Sequence, residues 1–354
     1  MSIMDKLKKN SKVDYTSVLA DSKFFNEKDM VPTDVPMINV ALSGSMDGGI
    51  SPGLTVLAGP SKHFKTSFAL IMASAYLKKY DDAVLLFYDS EFGSPQAYFE
   101  NFDIDTSRVL HTPITNVEEL KIDIMNQLQD ITSEDKVIII IDSIGNLASK
   151  KEVDDSLDGK TVADMTRAKG IKSLFRMITP HLTIKDIPLV VVNHTYKEIG
   201  MFPKDIVGGG TGSYYSADTI WILGRQQDKD KDGLQGYHFI INVEKSRYVK
   251  EKSKIPISVS FNGGMQKYSG LLDLAMQANF VTKPSPGWYA KIDRKTGEVG
   301  PKVRLDATQT KEFWYPILED KQFKTFVQEK YQIGYGNILN DETRTDDSEE
   351  LSVQ

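Results

Sequence analysis

The chain has 354 residues, with 43 lysines and arginines against 49 aspartates and glutamates, for a net charge of −6. That length suits one large core plus a smaller unit, and a composition 40% hydrophobic and 26% charged excludes wholesale disorder, collagen and a membrane bundle. The charge excludes a bulk polycation but not a local basic groove, and the absence of cysteine excludes disulfides, thiolate-bound zinc, iron–sulfur clusters and thiol nucleophiles.

The N-terminal stretch MSIMDKLKKNSKVDYTS lacks the apolar core of a secretory signal. No run approaches the ~18 apolar residues of a membrane span. The expected location is therefore the cytoplasm, with no membrane partner. Residues 1–35 are polar and mixed, with one apolar cluster at Phe24 and Phe25, and read as a short helix and an extended arm. Apolar runs follow at Leu54–Ala58, Ala83–Tyr88, Val137–Ile141, Pro188–Val192 and Thr219–Leu223, then Tyr237–Glu244 and Lys254–Phe261. Several are almost wholly apolar, as suits strands covered on both faces. Amphipathic stretches at Thr66–Tyr80, Val117–Ile131 and Ala163–Leu182 lie between them. The alternation predicts an α/β core over residues 36–268, a mostly parallel sheet flanked by helices, with the last two runs as an antiparallel extension. Leu271–Ala278 and Phe313–Tyr331 read as helices of a small C-terminal subdomain, residues 269–335. Residues 336–354 read as an acidic, disordered tail; the last 14 residues carry six acids and one arginine.

The run Leu54–Ala58 leads into Gly59-Pro-Ser-Lys-His-Phe-Lys-Thr66 and then a helical pattern. Strand, loop and helix are the context a phosphate-binding P-loop needs, because its backbone N–H groups and the helix N-terminus face the phosphates. Lys65 would reach the β- and γ-phosphates of ATP, and the Thr66 hydroxyl would ligate Mg²⁺. Phe64 stands where the usual motif has a second glycine, and it can serve only with an ordinary φ and its ring turned away from the nucleotide. The same residues also fit a polar turn capping a helix. Val137–Asp142 is an apolar strand ending in an acid, the Walker B arrangement, in which Asp142 holds Mg²⁺ partly through water. Glu91 follows the strand Ala83–Tyr88, on the edge where parallel strands converge, and is placed to deprotonate a water for attack on the γ-phosphate. Asp89 reads as a possible structural acid.

Gly59–Thr66, Tyr88–Glu91 and Asp142–Ser143, in that order, resemble the RecA-type ATPase core. The segments Phe24–Asp29, Leu147–Glu152, Asp164–Lys169, Val192–Tyr196, Gly208–Gly212, Val243–Arg247 and Tyr268–Asp273 extend the resemblance to the T4-type bacteriophage branch of the RecA-family strand-exchange recombinases, over roughly residues 20–335. Even Phe64 is similar, since that branch places Phe before the P-loop lysine. The resemblance implies an N-terminal polymerisation arm and a nucleotide cradle of Gly59, Pro60, Ser61, Lys62, His63, Phe64, Lys65, Thr66 and Ser67, with Tyr98 stacked on adenine. It implies that His194 senses the γ-phosphate, where bacterial members carry Gln. It also implies that Lys245 and Arg247 cross a subunit interface to the neighbour's nucleotide.

Two segments, Ser149–Ala163 and Thr195–Ser213, read as mobile loops with basic residues and, in the second, three consecutive glycines. Charged loops are commonly just solvated. The resemblance places two DNA-binding loops here; the expected side-chain contacts are Arg167, Lys169 and Arg176 on the helix that follows the first segment, with Gly209 and Gly210 as backbone contacts. The implied function is an ATP- and Mg²⁺-dependent DNA recombinase of recombination, repair and recombination-dependent replication. It would form a head-to-tail filament on single-stranded DNA and pair it with duplex DNA. A single-strand DNA-binding protein and a loading mediator are implied partners. A hexameric helicase motor and a P-loop small-molecule kinase share the ATP residues and stand as rivals, as does a protein whose ATP site is only structural. The acidic tail would compete with DNA for the same cations, so its removal is expected to strengthen duplex binding.

Overall fold

The computed structural model describes residues 2–22, 29–159, 165–198, 205–231 and 233–334. Phe24, Phe25, residues 160–164, Met201, Phe202, Lys204 and the acidic tail lie outside these. In chain order the elements are α1 (Ile3–Asn10), α2 (Pro36–Ser43), β1 (Gly53–Ala58), α3 (Lys65–Lys79), β2 (Val84–Asp89), α4 (Gln96–Glu100), β3 (Val109–Pro113), α5 (Val117–Asp130) and β4 (Val137–Asp142). Then come α6 (Lys150–Leu157), α7 (Thr166–Ile184), β5 (Pro188–Asn193), β6 (Thr195–Lys197), β7 (Asp205–Val207), α8 (Thr211–Ser216), β8 (Thr219–Asp230), β9 (Gly233–Ser246), β10 (Lys254–Ser260) and β11 (Gly264–Met265). The C-terminal region holds α9 (Leu271–Gln277), β12 (Val281–Ser285), β13 (Trp288–Lys291), β14 (Val303–Arg304), α10 (Lys311–Leu318) and α11 (Lys321–Tyr331). Among the described residues no helix is long and apolar enough to cross a membrane.

One nine-stranded sheet runs β11-β10-β9-β8-β1-β5-β4-β2-β3. From β8 to β3 every neighbouring pair is parallel, and β9, β10 and β11 extend the sheet antiparallel. The all-apolar runs of the sequence are its central strands: β4 and β5 are buried at every position, because helices cover both faces. One face packs α2, α3 and α9–α11 in a cluster that includes Met37, Phe68, Trp221, Trp314 and Phe323. The other packs α5 and α7 through Leu120, Ile124, Ile171, Phe175 and Ile178. The i, i+3, i+4 spacing of these apolar positions selects helices there.

Four features depart from the sequence expectations. β3 has no apolar signal because it is an edge strand, largely exposed. Phe313–Tyr331 is two helices, not one: Asp320 caps the second by accepting from the Gln322 and Phe323 N–H groups, an N-cap inside an apolar period. The stretch 149–163 is not all loop. Ser149 and Glu152 form a capping box that starts α6, the mutual bonding that satisfies two N–H groups at a helix start. The segment 195–213 likewise contains the β6–β7 hairpin and the start of α8.

Candidate active site

The order β1-β5-β4-β2 sets four strand ends side by side on the carboxyl edge of the sheet, where α/β folds bind ligands. β1 delivers the loop 59–64, β2 delivers Asp89 to Glu91, β4 delivers Asp142 and Ser143, and β5 delivers His194. Ser61, Lys62, His63, Phe64, Lys65, Thr66, Ser67, Glu91, Tyr98, Val192 and His194 line one shared cavity.

The loop turns back through two left-handed residues, Lys62 at φ 61° and Phe64 at φ 63°. The expectation of an ordinary φ for Phe64 is therefore corrected. Its ring does turn away from the loop, packing edge-on against Phe68 and face-on against Phe239. Apolar packing thus holds a conformation that glycine adopts without cost. Arg225 on β8 donates from Nη1 to the Lys62 carbonyl at 3.0 Å, and its guanidinium lies over the Tyr237 ring. His63 Nδ1 sits 2.9 Å from the Ser61 carbonyl, and burial holds its ring below the ordinary histidine pKa. A Cβ at Gly59 would meet Leu223 at 3.2 Å, a tight approach that explains the small residue at the strand end.

Lys65 is buried and donates from Nζ to the Pro60 carbonyl at 2.9 Å. Burial lowers its pKa, and Glu91 and Asp142 partly offset that. Thr66 Oγ1 donates to Asp142 Oδ2 at 2.6 Å. The other carboxylate oxygen, Asp142 Oδ1, is buried with no hydrogen-bond partner. Burial pushes this carboxyl up to about 6, only partly countered by Thr66. A buried orphan oxygen beside a hydroxyl is the donor set a hard divalent cation takes, so the site fits Mg²⁺. Ser67 Oγ and the Tyr98 hydroxyl are 2.5 Å apart, which fixes that ring at the cavity wall next to the helix start.

Glu91 is the centre of a network. His194 Nε2 (3.2 Å), Ser143 Oγ (2.9 Å) and Asn146 Nδ2 (3.3 Å) all approach its Oε1. Among the described residues Oε2 has no hydrogen-bond partner. The hydrogen bond from His194, then that from Ser143, holds the carboxyl below the ordinary glutamate pKa against the opposing effect of burial. Asp89 is structural: its Oδ1 accepts from the Glu91 and Phe92 N–H groups, and its Oδ2 meets His111 Nε2 at 3.1 Å. Asn146, His111 and Arg225 belong to the site without a motif of their own, and Ser143 enters the motifs only as the neighbour of Asp142. Ser143 and Asn146 were reachable only as residues just past an apolar strand.

Lys245 and Arg247 are not part of this cavity. β9 runs antiparallel to β8, and its residues Lys245 and Ser246 pair with Ile220 and Thr219, at the strand edge away from the P-loop. Lys245 Nζ donates to the Tyr214 and Tyr215 carbonyls at 2.8 and 3.3 Å, and Arg247 Nε meets Asp218 Oδ1 at 2.5 Å.

Of the expected DNA contacts, Lys169 and Arg176 are exposed on α7. Gly209 and Gly210 take φ of 83° and 77°, which glycine permits, and a Cβ at either would meet Ile171 or Ala168 of α7. Arg167, at the start of the same helix, is half-buried and engaged with backbone carbonyls. Its Nε donates to the Leu147 carbonyl (2.5 Å), and its Nη2 donates to the carbonyls of Ile144 (3.1 Å) and Gly145 (2.7 Å). Those carbonyls draw the guanidinium inward.

Comparisons with known proteins agree with this fold. Residues 4–266 match the RecA N-terminal domain family, and residues 268–327 match the C-terminal domain of the bacteriophage T4 recombination and repair protein. The recombination and repair protein of Enterobacteria phage T4 is 51% identical over 337 residues, covering 94% of this chain and 86% of that protein. Protein RecA of Bacteroides thetaiotaomicron is 25% identical over 299 residues, 83% of this chain and 87% of that protein. Protein RecA of Clostridioides difficile is 24% identical over 330 residues, 91% of this chain and 88% of that protein. Nucleotide and Mg²⁺ use, with ATP hydrolysis, are general to such proteins. With one family model spanning most of the sheet and helices, and a relative at this identity along nearly the whole length, the chain belongs to the RecA family of recombinases.

Proposed function

We propose that the chain is a DNA-dependent ATPase that assembles head-to-tail on single-stranded DNA and catalyses homologous pairing and strand exchange. The observation that carries this reading is the split of the ATP residues between two edges of one sheet. Lys65, Thr66, Glu91, Asp142 and His194 gather on one edge, and Lys245 and Arg247 end on the other. The two cations do not line their own chain's cavity, and a neighbouring copy supplies a use for them. Contacts of this kind that do not close generate a filament.

ATP is the substrate. The loop amides and Lys65 hold its phosphates, and Tyr98 offers a face to the base. Thr66 and Asp142 would hold Mg²⁺, which when bound neutralises charge on the phosphate oxygens. Glu91 positions a water through Oε2 and takes its proton, while Ser143, Asn146 and His194 keep the carboxylate aimed and ionised. His194, between Glu91 and the β6–β7 segment, is placed to register the γ-phosphate. A cation from the neighbour stabilises the charge that develops as the γ-phosphoryl leaves. Lys169 and Arg176 attract the DNA backbone, and the glycines allow it close approach. Base pairing between strands then selects the matching duplex. A single-strand DNA-binding protein and a loading factor are the partners this cycle would require. Neither the helicase nor the kinase reading is favoured by the relatives named above, one a recombination and repair protein and the others RecA.

The test is a pairing assay. Purified protein, Mg²⁺ and a labelled single strand meet a duplex of matching or unrelated sequence, with ATP or a non-hydrolysable analogue. Joint molecules with the matching duplex only, formed with the analogue too, are the expected result. Unwinding that demands hydrolysis, without joint molecules, would replace this reading with a helicase.

A further inference from the structure

We infer that Arg167 is a positioning residue that links the DNA-facing start of α7 to the Glu91 carboxylate. Three observations converge. The loop after β4 carries two of the three donors on Glu91 Oε1, Ser143 and Asn146. The next carbonyls of that loop, on Ile144, Gly145 and Leu147, all accept from the one Arg167 guanidinium. The first turns of α7 lie close to the glycine segment: a Cβ at Gly210 would meet Ala168 at 3.6 Å, one at Gly209 would meet Ile171 at 3.3 Å, and one at Gly212 would lie 2.6 Å from the Lys172 Cα.

Both candidate DNA segments therefore converge on α7 residues 166–172, one as the chain leading into the helix and the other packed against it. The planar, five-donor guanidinium can span several carbonyls at fixed spacing. A shift of this helix start on DNA binding moves the stretch 145–147 as a unit. Asn146 lies within that unit. Elsewhere the same loop is pinned to the sheet, with the Ile144 N–H donating to the Val192 carbonyl and the Ser143 N–H to Ser90 Oγ. The adjustable part is the stretch Arg167 holds. The inference rests on the proposed DNA-facing reading of α7, and assigns to that site the regulation of its own hydrolytic base.

The test compares Arg167→Lys with Lys169→Ala and Arg176→Ala in the full-length protein. ATP turnover is titrated with oligo-dT, and oligo-dT affinity is measured by anisotropy in a non-hydrolysable ATP analogue. Lysine keeps the charge but not the fork. The expected result for Arg167→Lys is a fall of about ten-fold or more in turnover at saturating oligo-dT, the size a misplaced catalytic group produces. Its KM for ATP and its oligo-dT affinity should stay within about two-fold. Adding Asn146→Ala to Arg167→Lys should cost less than the product of the two single losses, because both act through one loop. A lysine variant with normal turnover overturns the inference. So does one that binds DNA weakly but recovers full turnover at saturating DNA, since that is a phosphate contact.

If Lys169→Ala and Arg176→Ala leave oligo-dT affinity unchanged, the DNA-facing reading itself fails and the coupling falls with it. If they weaken binding while Arg167→Lys turns over normally, the reading stands and only the Arg167 inference falls. Should Arg167→Lys not fold, hydrogen exchange in the unmodified protein decides. Oligo-dT should change the protection of amides 143–147 in the presence of the analogue, and no change overturns the coupling.

Discussion

The Phe64 ring stacks on Phe239 with centroids 5.0 Å apart and planes 23° apart, and so ties the phosphate loop to β9. The backbone of Phe64 is left-handed, at a cost of about 1 kcal/mol for a residue with a Cβ. The stack and the edge contact with Phe68 offset it. Phe64→Ala removes the offset and keeps the strain, so a loss of about 2 kcal/mol is expected. Phe64→Gly removes both and should be more stable than the alanine variant by about 1 kcal/mol. Urea denaturation of the two variants checks this order, which is the reverse of the usual ranking of alanine above glycine.

Asp142 bears on stability through its buried charge. Its carboxyl titrates at about 6 in the folded chain against an ordinary 3.8. Between those values the folded state holds the proton and the unfolded state does not, so stability falls as pH rises through that window. Above about pH 6 the full penalty is present, on the order of 3 kcal/mol. Asp142→Asn keeps an acceptor for Thr66 and carries no charge. Without nucleotide and with a chelator, it should be more stable than the unmodified protein above pH 6 and equal to it below pH 4. Mg²⁺-dependent ATP binding should be lost in the same variant. A stability gap independent of pH would contradict the assignment of the buried charge.

His194 is the largest cause of the low Glu91 pKa, so its removal lets that carboxyl rise. The acid limb of the kcat/KM profile should then move to higher pH in His194→Ala, with turnover down about ten- to hundred-fold. His194→Gln keeps a donor and should lose less. Gly145 gives an independent check: a Cβ there would lie 2.5 Å from His194 Cδ2, so Gly145→Ala must displace the ring. It should shift the acid limb in the same direction as His194→Ala.

The strands that build the site were legible because burial on both faces leaves an unbroken apolar run, as in β4 and β5. The residues at their ends, Lys65, Thr66, Glu91 and His194, could be placed because a parallel sheet brings its carboxyl ends to one edge. Several features were not legible. β3 is exposed and so carries no apolar period, and it brings His111 against Asp89. The Phe64 conformation depends on Phe239, far away in sequence, so no local reading of the loop finds it. Arg167 has the composition of a DNA contact, and only the fold brings three carbonyls within reach of it. Charge patterns specify that a side chain is polar, not which polar partner the tertiary structure sets beside it.

The position of Lys245 leads to a mixing experiment. In the single chain its ammonium rests on the carbonyls that end α8, and burial lowers its pKa. If a filament draws it to the neighbour's nucleotide, each hydrolytic site combines Glu91 from one copy with Lys245 from the next. Glu91→Gln and Lys245→Ala should each be inactive alone on single-stranded DNA. Mixed in equal amounts, about a quarter of the interfaces unite an intact Glu91 with an intact Lys245 across a one-directional contact. Turnover should therefore return toward a quarter of the unmodified rate, rising with the time allowed for subunits to exchange. The double variant, which has both changes in one chain, should rescue neither single variant. A mixture that stays inactive, although both proteins bind the same DNA, would show that Lys245 serves its own chain, holding the end of α8 where the structure places it.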